Sequence, residues 1–296
     1  MTMRTVEPWH QTPWDWRAAI QFISGGTGSG LIAFTALAAW VDPAWLWRTG
    51  LVGMGFICLG LLAVFIKLGR RWRAFLAIMN PFTSWLTREA LLAPVLLGLE
   101  FLAVVLMNQF LAVAAGIVGL GFLYSQARML KESRGIPAWR NERLLWLIFA
   151  TGLTEGVSLL TIATAFFGQA GDWLTPAFGA VLIARLAMWL TYRRALSAPG
   201  AAPLRTVEVL DGMNKIIIVA GHAVPLAVLL FGMFFPGLGW LFALVAGLTG
   251  VLSGWYLKFM LITRAAYNQG FALVRTPART PGYSGPGVKP GWTARD

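Results

Sequence analysis

The sequence contains one cysteine, Cys58, and two histidines, His10 and His222. An iron–sulfur cluster takes several thiolates, so this chain is expected to hold none. Haem held by two histidines needs both near one site, and His10 precedes the first long apolar run, so no haem is expected either. No zinc ligand set is present. Charge is also scarce. Only 12% of the 296 residues are Asp, Glu, Lys or Arg, against roughly 25% in soluble domains. With 57% hydrophobic residues and a mean hydropathy of +0.67, the chain cannot cover itself with polar surface and needs lipid as solvent. Strict period-2 alternation is missing from runs such as LLAVFI (61–66) and LAVLLFGMFF (226–235), which excludes a membrane β-barrel. The glycine-rich GGTGSG (25–30) lacks the Gly-Lys-Ser/Thr ending of a phosphate loop and lies inside an apolar run. Gly26 and Gly30 there suit the close approach of another helix.

Long apolar runs remain. Each run of about 20 residues is enough to span a bilayer as a helix. Eight are predicted, at about 18–40, 50–67, 90–107, 110–129, 144–167, 173–192, 214–235 and 238–261. The fold class is therefore all-α and integral to the membrane. Residues 1–17 form an N-terminal segment, 18–262 the eight-helix domain and 263–296 a Pro/Gly-rich tail. Apart from Arg48 and Arg185, every Lys and Arg falls at the N-terminus, in every second gap between runs, or at the C-terminal end. Cytoplasmic loops hold the excess of Lys and Arg. Both termini are thus expected in the cytoplasm and the protein in a bacterial inner membrane. The net charge of +12 reads as topology and attraction to anionic lipid, with no nucleic-acid partner. The N-terminus does not read as a cleavable signal, because the first apolar run is too long. Trp9, Trp14 and Trp16 are expected as interface anchors.

Ionisable residues at membrane depth are costly and mark candidate sites. Glu155 is central in the fifth run, and Thr151, Thr154, Ser158 and Thr161 share its helical face. Arg185 lies in the sixth run and is the expected partner of Glu155. Glu100 sits mid-span among apolar neighbours and is expected neutral. His222, in the seventh run, lies two turns from Lys215 on the same predicted face. These four are read as proton-relay or intramembrane polar groups. At the basic edge, the segment 67–91 is dense in polar residues. Thr87 is expected to cap the third helix, with Glu89 at the positive end of its dipole.

That segment resembles the junction of the second and third helices in DmsC-type anchor subunits of dimethyl-sulfoxide-reductase-type complexes, relatives of the NrfD anchors. Leu68, Gly69, Arg73, Ala74, Phe75, Asn80, Thr87 and Glu89 follow the family's order. Lys67 stands where the family has His, and Arg71 where it has Pro. The stretches 14–34, 127–156 and 285–292 are similar to the branch that includes the membrane subunits of phenylacetyl-CoA:acceptor oxidoreductase and sulfite dehydrogenase.

The resemblance implies a membrane anchor for two partners: a four-cluster iron–sulfur protein and a molybdopterin catalytic subunit, both expected in the cytoplasm. It implies exchange of electrons with quinone, held at the basic end of the second and third helices. Lys67 or Arg73 would bond a quinone oxygen and Glu89 would exchange the proton. A secondary transporter of a small molecule or ion is the alternative reading, since Glu100, Glu155 and Arg185 would suit one. An anchor without a quinone site is the third.

Overall fold

A computed structural model describes residues 3–5, 7–69 and 78–273. Of the motifs above, Arg71, Arg73, Ala74, Phe75 and the 285–292 stretch lie outside the described residues. Eight helical spans are present among the described residues. They comprise α1 (Trp16–Ala38), α2 (Leu51–Lys67), α3 (Trp85–Leu106), α4 (Gln109–Lys131), α5 (Glu142–Phe167), α6 (Leu174–Leu196), a paired α7 (Leu204–Ile218) and α8 (Val224–Gly232), and α9 (Gly239–Thr263). A π-helical turn, Leu46–Gly50, leads into α2, and another, Val219–Ala223, joins α7 to α8. The all-α, eight-span class read from hydropathy is the observed one.

Two helix starts differ from expectation. α3 begins at Trp85 and α7 at Leu204, five and ten residues earlier than the apolar runs. Hydropathy reports only the lipid-facing part of a helix, whereas backbone hydrogen bonding carries on into water. In α7 the added residues include Arg205, Thr206, Glu208 and Asp211, and Asp211 pairs with Arg193 of α6. The N-cap of α3 is Ser84, whose hydroxyl accepts from the Thr87 amide at 3.3 Å. The expected cap, Thr87, is instead buried inside the first turns.

α1 and α5 form the centre. Buried residues make up 78% of the α1 span and 72% of α5, against 22–33% for α2, α3, α6 and the seventh span. Lipid covers the outer helices, so their apolar side chains need no protein partner. Glycine sets the central crossing. A Cβ on Gly156 of α5 would run into the Gly30 backbone of α1, and one on Gly30 into the Gly152 carbonyl. The GGTGSG stretch is thus a packing surface.

The even span count returns both termini to one end. There β1 (Met3–Thr5) pairs antiparallel with β2 (Phe271–Leu273). His10 bridges to Tyr267, and the Asn268 side chain accepts from the Trp9 amide at 3.2 Å. This is also the end that gathers the basic loops. Of the expected tryptophan anchors, Trp16 is exposed. Trp14 is a packing residue instead, its ring edge-on to the buried Trp139 with centroids 4.6 Å apart.

Candidate functional site

Polar side chains inside this apolar body collect in three places. The first lies at the basic end. Glu89, in the second turn of α3, is buried. Its carboxylate accepts from Gln21 Nε2 of α1 (3.1 and 3.3 Å to its two oxygens) and from Gln126 Nε2 of α4 at 2.9 Å. No Lys or Arg among the described residues bonds to it. The Gln126 amide also donates to the Gln21 carbonyl at 3.2 Å, leaving its Oε1 buried and unpartnered. Gly25 makes the room, because a Cβ there would strike the Gln126 amide. Glu89 stands one turn in from the start of α3, whose first turn holds no acidic residue, and it turns inward, where two amides stabilise its charge without cancelling it.

Lys67 ends α2 half-buried, its Nζ 5.3 Å from the Trp14 ring centre. It lies beside Asp15, the N-cap of α1. Burial pushes the Asp15 carboxyl up. Hydrogen bonds from Arg17 and the Ala18 amide, with the charges of Lys67 and Arg17, outweigh that and hold it below its ordinary value. Lys67 and Glu89 thus share one end of the bundle but bond to different groups. Arg73 lies outside the described residues. Close by, Arg88 and Arg128 approach the Trp85 ring at 4.0 and 4.8 Å, a cation–π arrangement.

The second place is the bundle centre. Glu155 was expected to pair with Arg185; it pairs with Lys258 of α9 at 2.6 Å, both fully buried. The same oxygen accepts from Thr27 at 2.9 Å, and the Trp255 indole donates to Thr27 at 3.0 Å. Lys258 also donates to the Phe22 carbonyl at 3.0 Å, in space that a Cβ on Gly26 would occupy. The hydroxyls of Thr151, Thr154 and Thr161 do not serve Glu155. Each bonds a carbonyl four residues back in its own helix, the usual escape for a hydroxyl in an apolar span.

Arg185 is buried with neutral acceptors around it. Its Nε donates to His222 Nε2 at 3.0 Å, Nη1 to the Gly250 carbonyl at 3.3 Å, and Nη2 to Ser253 Oγ at 3.1 Å and to the Gly221 carbonyl. Because Arg only donates, His222 Nε2 must accept, and the ring hydrogen sits on Nδ1, bonded to the Ile217 carbonyl at 2.8 Å. The predicted shared face with Lys215 does not form: Lys215 is exposed while His222 is buried. The π turn at Val219–Ala223 adds backbone and rotates the register.

The third place is Glu100, fully buried against Gly50 of the first π turn, with both oxygens unpartnered. The next residue back, Thr49, shares a hydrogen bond of 2.7 Å with Thr35 of α1.

Gln21, Gln126, Thr27, Ser253 and Lys258 were missed in the sequence. A scan for charges passes over single amides. Lys258 is five residues from the end of α9, so its charge counted as a loop charge. Surface cavities of about 400 and 570 Å3 open at opposite ends of the bundle, and none of Lys67, Glu89, Glu100, Glu155, Arg185 and His222 lines either. Among the described residues no group of three or more His, Cys, Asp or Glu is placed to hold a metal ion.

No curated protein matches the chain. The family model for the DMSO reductase anchor subunit (DmsC) matches residues 29–209, more than half of the length. The match takes in Lys67, Glu89, Glu100, Glu155 and Arg185, while Lys258 and His222, the partners of the last two, come from beyond it. Eight membrane-crossing helices and this match together place the chain in the DmsC family, the membrane anchor subunits of DMSO-reductase-type complexes.

Proposed function

We propose that this anchor passes electrons between an iron–sulfur partner subunit and membrane quinone, with a molybdopterin enzyme completing the complex. The partners dock on the basic face, which is the cytoplasmic one by its excess of Lys and Arg. Quinone is held at the basic end of α2 and α3. The observation that carries the reading is Glu89: a carboxylate buried at that end and bonded, among the described residues, by the amides of Gln21 and Gln126. Reducing a quinone needs a donor to its oxygen and a source of protons. Lys67 or Arg73 supplies the donor and Glu89 exchanges the proton. Glu89, Lys67 and Trp85 with its two arginines all belong to the basic end of the bundle, the end at which a lipid-soluble ring would enter from the side.

The test is quinone-dependent turnover of the purified complex carrying Lys67→Ala, Arg73→Ala or Glu89→Gln. A fall of tenfold or more in Glu89→Gln is expected, with viologen-linked activity of the catalytic partner retained. Unchanged quinone kinetics in all three variants would remove the site from this edge.

A further inference from the structure

Two arginines meet over one indole at the basic end. Arg88, in the first turn of α3, brings its guanidinium carbon within 4.0 Å of the Trp85 ring centre, and Arg128, in the last turn of α4, comes within 4.8 Å of the same ring. Neither has a carboxylate to itself among the described residues. Arg88 donates to the Pro81 carbonyl at 2.8 Å and to the Phe82 carbonyl at 2.9 Å. Arg128 bonds Glu132 at 3.0 Å, and that carboxylate also accepts from Arg134 at 3.2 Å. Nearby Lys131 and Glu142 are paired with each other. Three guanidinium groups thus share one anion. A guanidinium offers five N–H groups, and these bonds take two from Arg88 and one from Arg128. The buried Nε of Arg128 has no acceptor among the described residues.

Below the arginines the surface turns aromatic. Trp85 meets Tyr124 of α4 edge-on with ring centres 5.7 Å apart, Tyr124 meets Trp146 of α5 at 6.3 Å, and Trp146 meets Phe149 at 6.0 Å. Tyr124 stands seven residues before the end of α4 and Phe149 seven after the start of α5, each roughly 10 Å into the span. Trp146 is 50% exposed. The row of rings therefore runs from the end of the bundle down the side of three consecutive helices, into the membrane. A cationic top over an aromatic wall matches the two parts of a phospholipid, a phosphate at the level of the helix ends and acyl chains below it. A soluble partner on the basic face would reach the arginines and not the rings beneath them.

We propose that one anionic phospholipid binds here, its phosphate held by Arg88 and Arg128 over Trp85 and an acyl chain laid along Tyr124, Trp146 and Phe149. An arginine stacked on a ring keeps its N–H edge for a phosphate oxygen, and such charge-assisted bonds are the strong ones. The lipid supplies the anion that the cluster lacks and joins α3, α4 and α5 at their shared end. The inference does not depend on the quinone reading, since none of Lys67, Arg73 and Glu89 takes part.

The experiment titrates the whole complex, stripped of lipid in detergent, with phosphatidylglycerol or with phosphatidylethanolamine, and counts retained lipids by native mass spectrometry. The first phosphatidylglycerol is expected to bind at a concentration about tenfold or more below that needed for phosphatidylethanolamine, because each arginine near a membrane surface is worth about 1 kcal/mol toward an anionic lipid, or about fivefold. Arg128→Gln should weaken phosphatidylglycerol by about that fivefold, and Arg88→Gln added to it should remove the preference. Arg128→Gln leaves the bonds to Pro81 and Phe82 intact, so it carries the test by itself where the double variant fails to assemble. Arg143→Gln, exposed at the same end, should change nothing. Trp146→Leu should weaken both lipids alike, since it acts on the acyl chain. Equal binding of the two lipids by the parent, or an undiminished preference in Arg128→Gln, would overturn the proposal. So would displacement of the bound lipid by glycerol 3-phosphate at equal concentration, which would make this a site for a small anion. Loss of a partner subunit from Arg128→Gln with the lipid preference kept would give the arginines to a protein interface instead.

Discussion

The Glu155–Lys258 pair offers the sharpest quantitative test of the central packing. Both groups are fully buried and 2.6 Å apart. Removing one partner of such a pair costs about 3–5 kcal/mol, because a charge is left uncompensated at low dielectric, whereas replacing both with apolar groups costs far less. The surroundings make the two single changes unequal. Glu155 lies within electrostatic reach of Arg185 as well as Lys258, and Arg185 has no carboxylate partner of its own among the described residues. Glu155→Gln therefore strips from two cations the one anion near them among the described residues, and one of the two, Arg, cannot shed its proton. Lys258→Met leaves one anion and one cation that can move together. We expect Glu155→Gln to lose about 4–5 kcal/mol, Lys258→Met about 3, and the double variant less than the sum of the two by at least about 2 kcal/mol. Equilibrium unfolding of the purified protein in mixed micelles measures all three. Additive losses, or a Glu155→Gln variant as stable as the parent, would refute the assignment of this pair as the charged link between α5 and α9.

Three further outcomes follow from the same contacts. Gly156→Ala drives a methyl into the Gly30 backbone and should cost about 1–3 kcal/mol, while Gly98→Ala, with open space around it, should be neutral or slightly stabilising in the same unfolding assay. Asp15 is held below its ordinary value near 3.8, so its contribution to stability is full above that pH and fades as pH falls through the lower folded value. Asp15→Asn, which keeps a capping oxygen but loses the charge, should flatten that acid limb in pH-resolved melting curves. A fluorescent-protein fusion at either terminus should light up in the cytoplasm. A dark fusion at both would invert the orientation and leave the helix count untouched.

The spans were legible because each is a long apolar run, and lipid reads hydropathy directly. The ends of α3 and α7 were not, since a helix continues past the lipid for reasons of hydrogen bonding that leave no hydrophobic trace. Glu100, Glu155, Arg185 and His222 stood out as costly groups in apolar surroundings, and all four are buried. Their partners were another matter. Glu155 and Arg185 come from consecutive helices, which made them natural neighbours. The choice of Lys258 depends on how α9 passes α5, and on Gly26 leaving space for the ammonium.

The residue order alone determined the solvent of this protein, the number of crossings and the return of both termini to one end. Composition and the period of the charges are properties of the chain, and lipid acts on them one span at a time. Which amides hold Glu89 and which cation meets Glu155 were decided only by the tertiary structure. Those contacts join residues that lie from 37 to 103 positions apart. Their formation depends on glycine-lined crossings and π turns, whose rotations no periodicity in the sequence records.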